Sequence, residues 1–202
     1  MELWIATGNK GKVSEYKILL NELADLKIFT QADIPSFTPR PEDGKTFLDN
    51  ARIKAKTLRA VKNNVWVLGE DSGLEVEGLN NLPGIHSARY AGPKASDSEN
   101  VSKLIKMMNL RPMPNRNAKF VCSTVVFTPT GEEWVFTGEM KGKIASKPAG
   151  LHGFGYDPVF VPEGQTQTLA ELGSGYKTQH SHRSQAVKQF LERYKTMAPG
   201  QN

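Results

Sequence analysis

Cysteine occurs once in the 202 residues, at Cys122. No disulfide can therefore form within the chain, which fits a reducing, cytoplasmic compartment. Cys122 sits inside the strand-like run Phe120–Phe127 and reads as a buried, inert thiol rather than a nucleophile. No apolar run approaches the roughly 20 residues that a membrane-spanning helix needs. The opening, Met1-Glu2-Leu3-Trp4-Ile5, lacks the basic n-region and cleavable apolar stretch of a signal peptide and reads as a first core strand. Two well-known phosphate-binding patterns, G-x-x-x-x-G-K-[ST] and G-x-G-x-x-G, are also missing. The excess of one charge sign is small, +5, and the basic residues are scattered rather than clustered. That balance agrees with an anionic ligand but does not by itself predict nucleic acid. Without repeats, low-complexity tracts or a long linker, residues 1–202 read as a single domain.

What the chain does have begins at Leu3-Trp4-Ile5-Ala6-Thr7-Gly8-Asn9-Lys10-Gly11-Lys12. An apolar strand stops at a small, polar, glycine-bearing turn, and helical spacing (Val13, Tyr16, Leu19, Leu20, Leu23) follows at once. Such a turn aims backbone N–H groups outward at the positive end of a helix, beside two lysines, and is a seat for phosphate oxygens. The plainer alternative is a strand–turn–helix that Asn9 and Gly11 merely shape.

Further along, Lys27–Thr30 reads as a strand and Pro35–Pro41 as loop. Thr46 opens a helix running to about Lys62. Val65–Gly69 reads as an apolar strand ending in a turn at Glu70-Asp71-Ser72-Gly73, with Leu74–Val76 a short continuation. Ser96–Glu99 starts a helix that Pro112 and Pro114 end. Lys119–Thr128 and Glu133–Met140 form a hairpin, with another short strand near Lys143–Ala145. Pro158–Val161 is strand-like, and Ala186–Tyr194 is the last helix. Strand–helix alternation followed by a hairpin-rich middle points to α/β with a mixed sheet.

Adjacent residues of a strand face opposite ways, so Glu70 and Asp71 serve one site only if the backbone turns there. Two carboxylates so close require a cation or donors, and Mg²⁺ held by carboxylates plus substrate phosphates fits. Otherwise they are a solvated turn. Glu42, in the acidic loop Glu42-Asp43-Gly44, is a candidate to converge on the same metal. In Gly153-Phe154-Gly155-Tyr156-Asp157-Pro158 the glycines allow close approach of a flat ligand, and the aromatics offer faces for a base or fill the core. Lys177, His182 and Arg183 are donors for a phosphate or a base edge. His180 and His182 lack the carboxylate or thiol support of a zinc site.

Taken together and in order, Thr7–Lys12, Thr46-Phe47 with Asn50-Ala51, Asp71-Ser72-Gly73-Leu74, Pro83-Gly84-Ile85 with Ser87-Ala88-Arg89-Tyr90, Gly153–Pro158 and Ser181-His182-Arg183 closely resemble the inosine/xanthosine triphosphate pyrophosphatases. The resemblance runs from Leu3 to about Phe190. It implies hydrolysis of ITP, dITP and XTP to the monophosphate and pyrophosphate with Mg²⁺. It also implies a long twisted mixed sheet flanked by helices, two lobes with a central nucleotide cleft, and a homodimer. Carried over by position, Thr7, Gly8, Asn9, Lys10, Gly11 and Lys12 hold the triphosphate. Glu42 and Asp71 bind Mg²⁺, Asp71 is also the general base, and Ser72 contacts substrate. Phe154, Gly155, Tyr156 and Asp157 pack on and read the base, Lys177 meets phosphate, and His182 and Arg183 meet the base edge.

Two positions depart from the family pattern: Glu70 stands where many relatives have Asp, and Asp49 where they often have Glu. The expected partner is a small molecule, with neither nucleic acid nor membrane involved, since Glu70 and Asp71 would repel a phosphate backbone without metal. The nearest rival is a pyrophosphatase for pyrimidine or modified nucleoside triphosphates on a related fold.

Overall fold

The computed structural model describes residues 1–110 and 112–197. Among them the strands form one seven-stranded sheet in the order β2-β1-β3-β5-β6-β7, with β4 paired to β3. These are β1 (Glu2–Ala6), β2 (Lys27–Thr30), β3 (Trp66–Val76), β4 (Leu82–Pro83), β5 (Asn117–Phe127), β6 (Glu133–Ile144) and β7 (Phe160–Pro162). β1 runs parallel to β2 and β3, whereas β4 is antiparallel to β3 and β7 to β6. The sheet is mixed, as the sequence predicts. The helices are α1 (Lys10–Leu19), α2 (Phe47–Arg59), α3 (Asp97–Asn109), α4 (Leu169–His180) and α5 (His182–Met197).

The chain divides into two compact units. The first comprises Met1–Asp71, Cys122–Gly138 and the residues from Arg183 on; the second comprises Ser72–Val121 and Glu139–His182. In the first unit, strand alternation sends side chains to two separate cores. Leu3 and Ile5 of β1 and Leu68 of β3 join Tyr16 and Leu20 of α1 and Phe190 of α5 on one side. Trp4, Ala6 and Val67 join Ala51, Ala55 and Leu58 of α2 on the other. Burial on both faces is why β1 and β3 read as continuous apolar runs. Gly69 lets α2 come close, since a Cβ there would lie 2.3 Å from the Ala51 carbonyl oxygen. The second unit packs Leu74, Val76, Leu104, Phe120, Tyr156 and Phe160 into its own core.

Three helix starts follow one rule. Thr46, Ser96 and Thr168 each accept from the third helical amide, while Asp49, Glu99 and Glu171 reach back to the cap amide. Each is a capping box that satisfies two otherwise orphaned donors. Two expectations need correction. β3 does not turn at Glu70–Gly73 but runs unbroken through it, and the short strand near Lys143 is the end of β6.

Candidate active site

The parallel register pairs Ala6 with Gly69, so the turn after β1 emerges alongside Glu70. Asn9 caps α1: its Oδ1 accepts the Lys12 amide at 3.0 Å, and Thr7 Oγ1 accepts the Asn9 amide at 3.1 Å. The other first-turn amides have no partner inside the helix by geometry, which leaves a positive helix end at Lys10 and Gly11. Gly8, Asn9 and Lys10 are exposed. Lys12 turns inward, with Nζ 3.1 Å from Glu70 Oε1.

Because β3 is continuous, Glu70 and Asp71 go to opposite faces of the sheet. Glu70 enters the layer of α1 and α5. There Arg183 donates Nε to Oε2 at 2.7 Å and Nη2 to Oε1 at 2.8 Å, and Arg183 Nη1 donates to Glu15. Burial alone would depress the Arg183 pKa, but the charges of Glu70 and Glu15 outweigh it and hold it well above the ordinary value. Asp71 enters the α2 layer. Asn50 Nδ2 donates to its Oδ2 at 3.1 Å and Lys54 Nζ to its Oδ1 at 2.8 Å. The same ammonium lies 2.8 Å from Glu42 Oε2 and donates to the Glu70 carbonyl at 3.1 Å. Asn50 also accepts the Gly44 amide at 2.9 Å, tying the acidic loop to Asp71. Desolvation works against the Lys54 ammonium, the charges of Asp71 and Glu42 exceed that effect, and its pKa is raised.

Glu42 and Asp71 thus converge, and Glu70 contributes its backbone oxygen to that point while its carboxylate points elsewhere. Three oxygens around one cationic nitrogen form a seat of the kind a hard divalent ion takes. The Lys54 ammonium occupies that position. Among the described residues no group of three or more His, Cys, Asp or Glu side chains clusters as a metal site.

The remaining candidates lie in the second unit, where Ser72 continues β3. Gly153 has φ +82°, and a Cβ there would meet Asp157 Oδ2 at 2.0 Å. Asp157 accepts the Phe154 amide at 2.9 Å and Lys177 Nζ at 2.7 Å. Lys177 also stands 4.6 Å from the Phe154 ring centroid. The Gly155 amide donates to Asp97 Oδ2 at 2.7 Å. Tyr156 is built into the core, its phenol donating to the Ser87 carbonyl at 2.8 Å, and burial raises its pKa. His182 stacks on Phe120, ring centroids 4.9 Å apart. Lys177 therefore belongs with the aromatic loop, and Arg183 is tied to Glu70 and Glu15. A polar pocket of about 570 Å³ also opens in this unit, but none of the sequence-predicted residues lines it.

Sequence reasoning misses Lys54 and Glu15. For Lys54 a signal exists: Asn50 and Lys54 fall on the apolar stripe Phe47–Ala51–Ala55–Leu58 of α2, and polar residues at inward-facing helical positions call for partners. Glu15 has no such mark, because it reads as one more charge on a solvated helix.

A mixed α/β sheet that sets a basic helix N-terminus beside converging carboxylates is the architecture of a phosphate-handling protein. The chain belongs to the Ham1 family, whose model matches residues 3–193. It is 82% identical over 199 residues to the dITP/XTP pyrophosphatase of Bdellovibrio bacteriovorus, covering 98% of this chain and 100% of that protein. To the dITP/XTP pyrophosphatase of Bacillus licheniformis it is 41% identical over 190 residues, covering 94% and 95%. A solved HAM1 protein from Coxiella burnetii matches with a TM-score of 0.85 at 35% identity, covering 98% of this chain and 100% of that one.

Proposed function

We propose that this chain hydrolyses the non-standard purine nucleoside triphosphates ITP, dITP and XTP to the monophosphate and pyrophosphate, clearing them from the nucleotide pool, and that residues 1–202 act as one catalytic domain. The likeness to the Bdellovibrio enzyme supplies the substrate class. The chemistry rests on one observation: Glu42, Asp71 and the Glu70 carbonyl gather around the Lys54 ammonium beside the turn of residues 7–12.

In this reading Thr7, Gly8, Asn9, Lys10, Gly11 and Lys12 hold the triphosphate through helix-terminal amides and two ammonium groups. Asp71, fixed by Asn50 and Lys54, orients the attacking water and takes its proton. Glu42 and Asp71 would hold Mg²⁺, which supplies charge neutralisation on the phosphate oxygens. Ser72 touches substrate. Lys54 and Lys12 keep positive charge where the leaving pyrophosphate develops negative charge.

Phe154 stacks on the base, with Gly155, Tyr156 and Asp157 framing it. Lys177 is held by Asp157 in the same loop cluster, and the role the reading gives it is toward phosphate. His182 and Arg183 read the base edge. For Arg183 the family likeness is the support, because its Nε and Nη2 are taken by Glu70 and its Nη1 donates to Glu15. A keto oxygen at position 6 accepts from such donors. Adenine offers an amino group there, leaving the donors unpaired at a cost of roughly 1–3 kcal/mol each.

The reading further assigns the protein to the cytoplasm, in line with its single buried thiol, and to a homodimer, for which family likeness is the support. No helix of the described residues is long and apolar enough to cross a membrane. Product analysis tests the cleavage position. With dITP and Mg²⁺ the products are dIMP and pyrophosphate, whereas dIDP and orthophosphate would overturn the assignment.

A further inference from the structure

Four charges meet where α1, β3 and α5 come together in the first unit. Lys12 and Glu15 lie three residues apart on α1, hence on one face. Glu70 comes from β3 and Arg183 from the first turn of α5. The Glu70 side chain is fully buried, that of Arg183 is 1% exposed, and those of Lys12 and Glu15 are 13% and 19% exposed. The connections form a chain: Glu15 accepts from Arg183 Nη1, Arg183 forks onto both oxygens of Glu70, and Glu70 Oε1 lies 3.1 Å from Lys12 Nζ.

We propose that Glu15 is a positioning residue that acts through Arg183 and Glu70 to hold Lys12 in place for the phosphates of the substrate. The proposal rests on the pyrophosphatase reading for the identity of that substrate. A guanidinium shared between two carboxylates leaves Glu70 enough unbalanced negative charge to anchor a lysine. Without the Glu15 charge, Arg183 draws more strongly on Glu70, and Glu70 holds Lys12 less firmly. Lysine is long and rotamer-rich, so an unanchored Lys12 must be ordered as substrate binds, and that cost appears in binding rather than in the chemical step. Glu15 itself touches no substrate.

The test compares wild type with Glu15→Gln and Glu15→Asp by steady-state kinetics on dITP, with the folded fraction of each measured by urea unfolding. Glu15→Gln keeps the shape and removes the charge. Its KM should rise roughly 2- to 10-fold, the range expected for ordering one long side chain, with kcat little changed. Glu15→Asp keeps the charge at shorter reach and should give an intermediate KM. A KM equal to wild type would overturn the proposal, as would a loss confined to kcat in proportion to unfolded protein, which marks a merely structural residue. If wild type does not hydrolyse dITP, the pyrophosphatase reading fails on its own. Calorimetric binding of inorganic tripolyphosphate then decides on Glu15: weaker binding by the Gln variant supports the proposal, and equal binding overturns it.

Discussion

Arg183 clasps Glu70 through two parallel hydrogen bonds of 2.7 and 2.8 Å, and both side chains are sealed from solvent. Breaking the pair strips the buried Glu70 carboxylate of two charged hydrogen bonds in a medium that solvates it poorly, although Lys12 stays beside it. Arg183→Ala is therefore expected to lower the unfolding free energy by about 3–5 kcal/mol, read from urea titration. A change below about 1 kcal/mol, the scale of an exposed ion pair, would contradict the buried clamp.

Asp71 is the carboxylate on which the chemistry turns. Asp71→Asn keeps the shape and the Asn50 contact but removes the proton acceptor. The expected outcome is a fall in kcat of about 100-fold or more, with dITP still bound in calorimetry. Turnover near wild type would remove Asp71 as the base.

Gly153 and Gly155 both have positive φ, yet their surroundings differ. A Cβ on Gly153 would meet Asp157 Oδ2 at 2.0 Å, whereas nothing lies within 4 Å of one on Gly155. Gly153→Ala must displace the carboxylate that holds Lys177 and the Phe154 amide. Gly155→Ala meets backbone strain alone. The KM for dITP should rise about 5-fold or more further in Gly153→Ala than in Gly155→Ala. Equal effects would show that Asp157 does not organise the loop.

Cys122 carries a pH signature. Burial, with the Glu70 charge adding to it, pushes the thiol from 9.0 up to about 12. The unfolded chain releases this proton near the ordinary value while the folded chain keeps it. The stabilisation is therefore complete below about pH 9 and is lost as pH rises toward 12. Tyr16 and Tyr156 are shifted in the same direction, so the informative quantity is the difference between wild type and Cys122→Ala. Stability of the variant should decline less steeply over that window, and the native thiol should resist alkylation at neutral pH. Parallel pH profiles would contradict the assignment.

Where local chemistry decides, the sequence is legible. The caps at Thr46 and Ser96, the strand before Thr7 and the hairpin of β5 and β6 all follow from pattern and turn residues. α4 escapes detection because Gly173, with φ +78°, and Gly175 weaken its helical signal, although Thr168 and Glu171 spell out a capping box. The break expected at Glu70–Gly73 follows from reading glycines as a turn. In the structure Gly69 instead admits the backbone of α2, a tertiary reason invisible along the chain. That single difference redistributes the site. With β3 straight, Glu70 and Asp71 part to opposite faces, and the acid that joins Asp71 is Glu42, tied to it through Lys54. The Glu15–Arg183–Glu70–Lys12 chain joins residues up to 171 positions apart and depends on the packing of two helices on one face, which no spacing rule encodes.

The most direct test of the account is pyrophosphate release from ITP, dITP, XTP, GTP and ATP at equal concentration, each with Mg²⁺ and with EDTA. Metal-dependent release from ITP, dITP and XTP, far above that from GTP and ATP, is the predicted result. Equal release from all five purines, or full activity in EDTA, would contradict it.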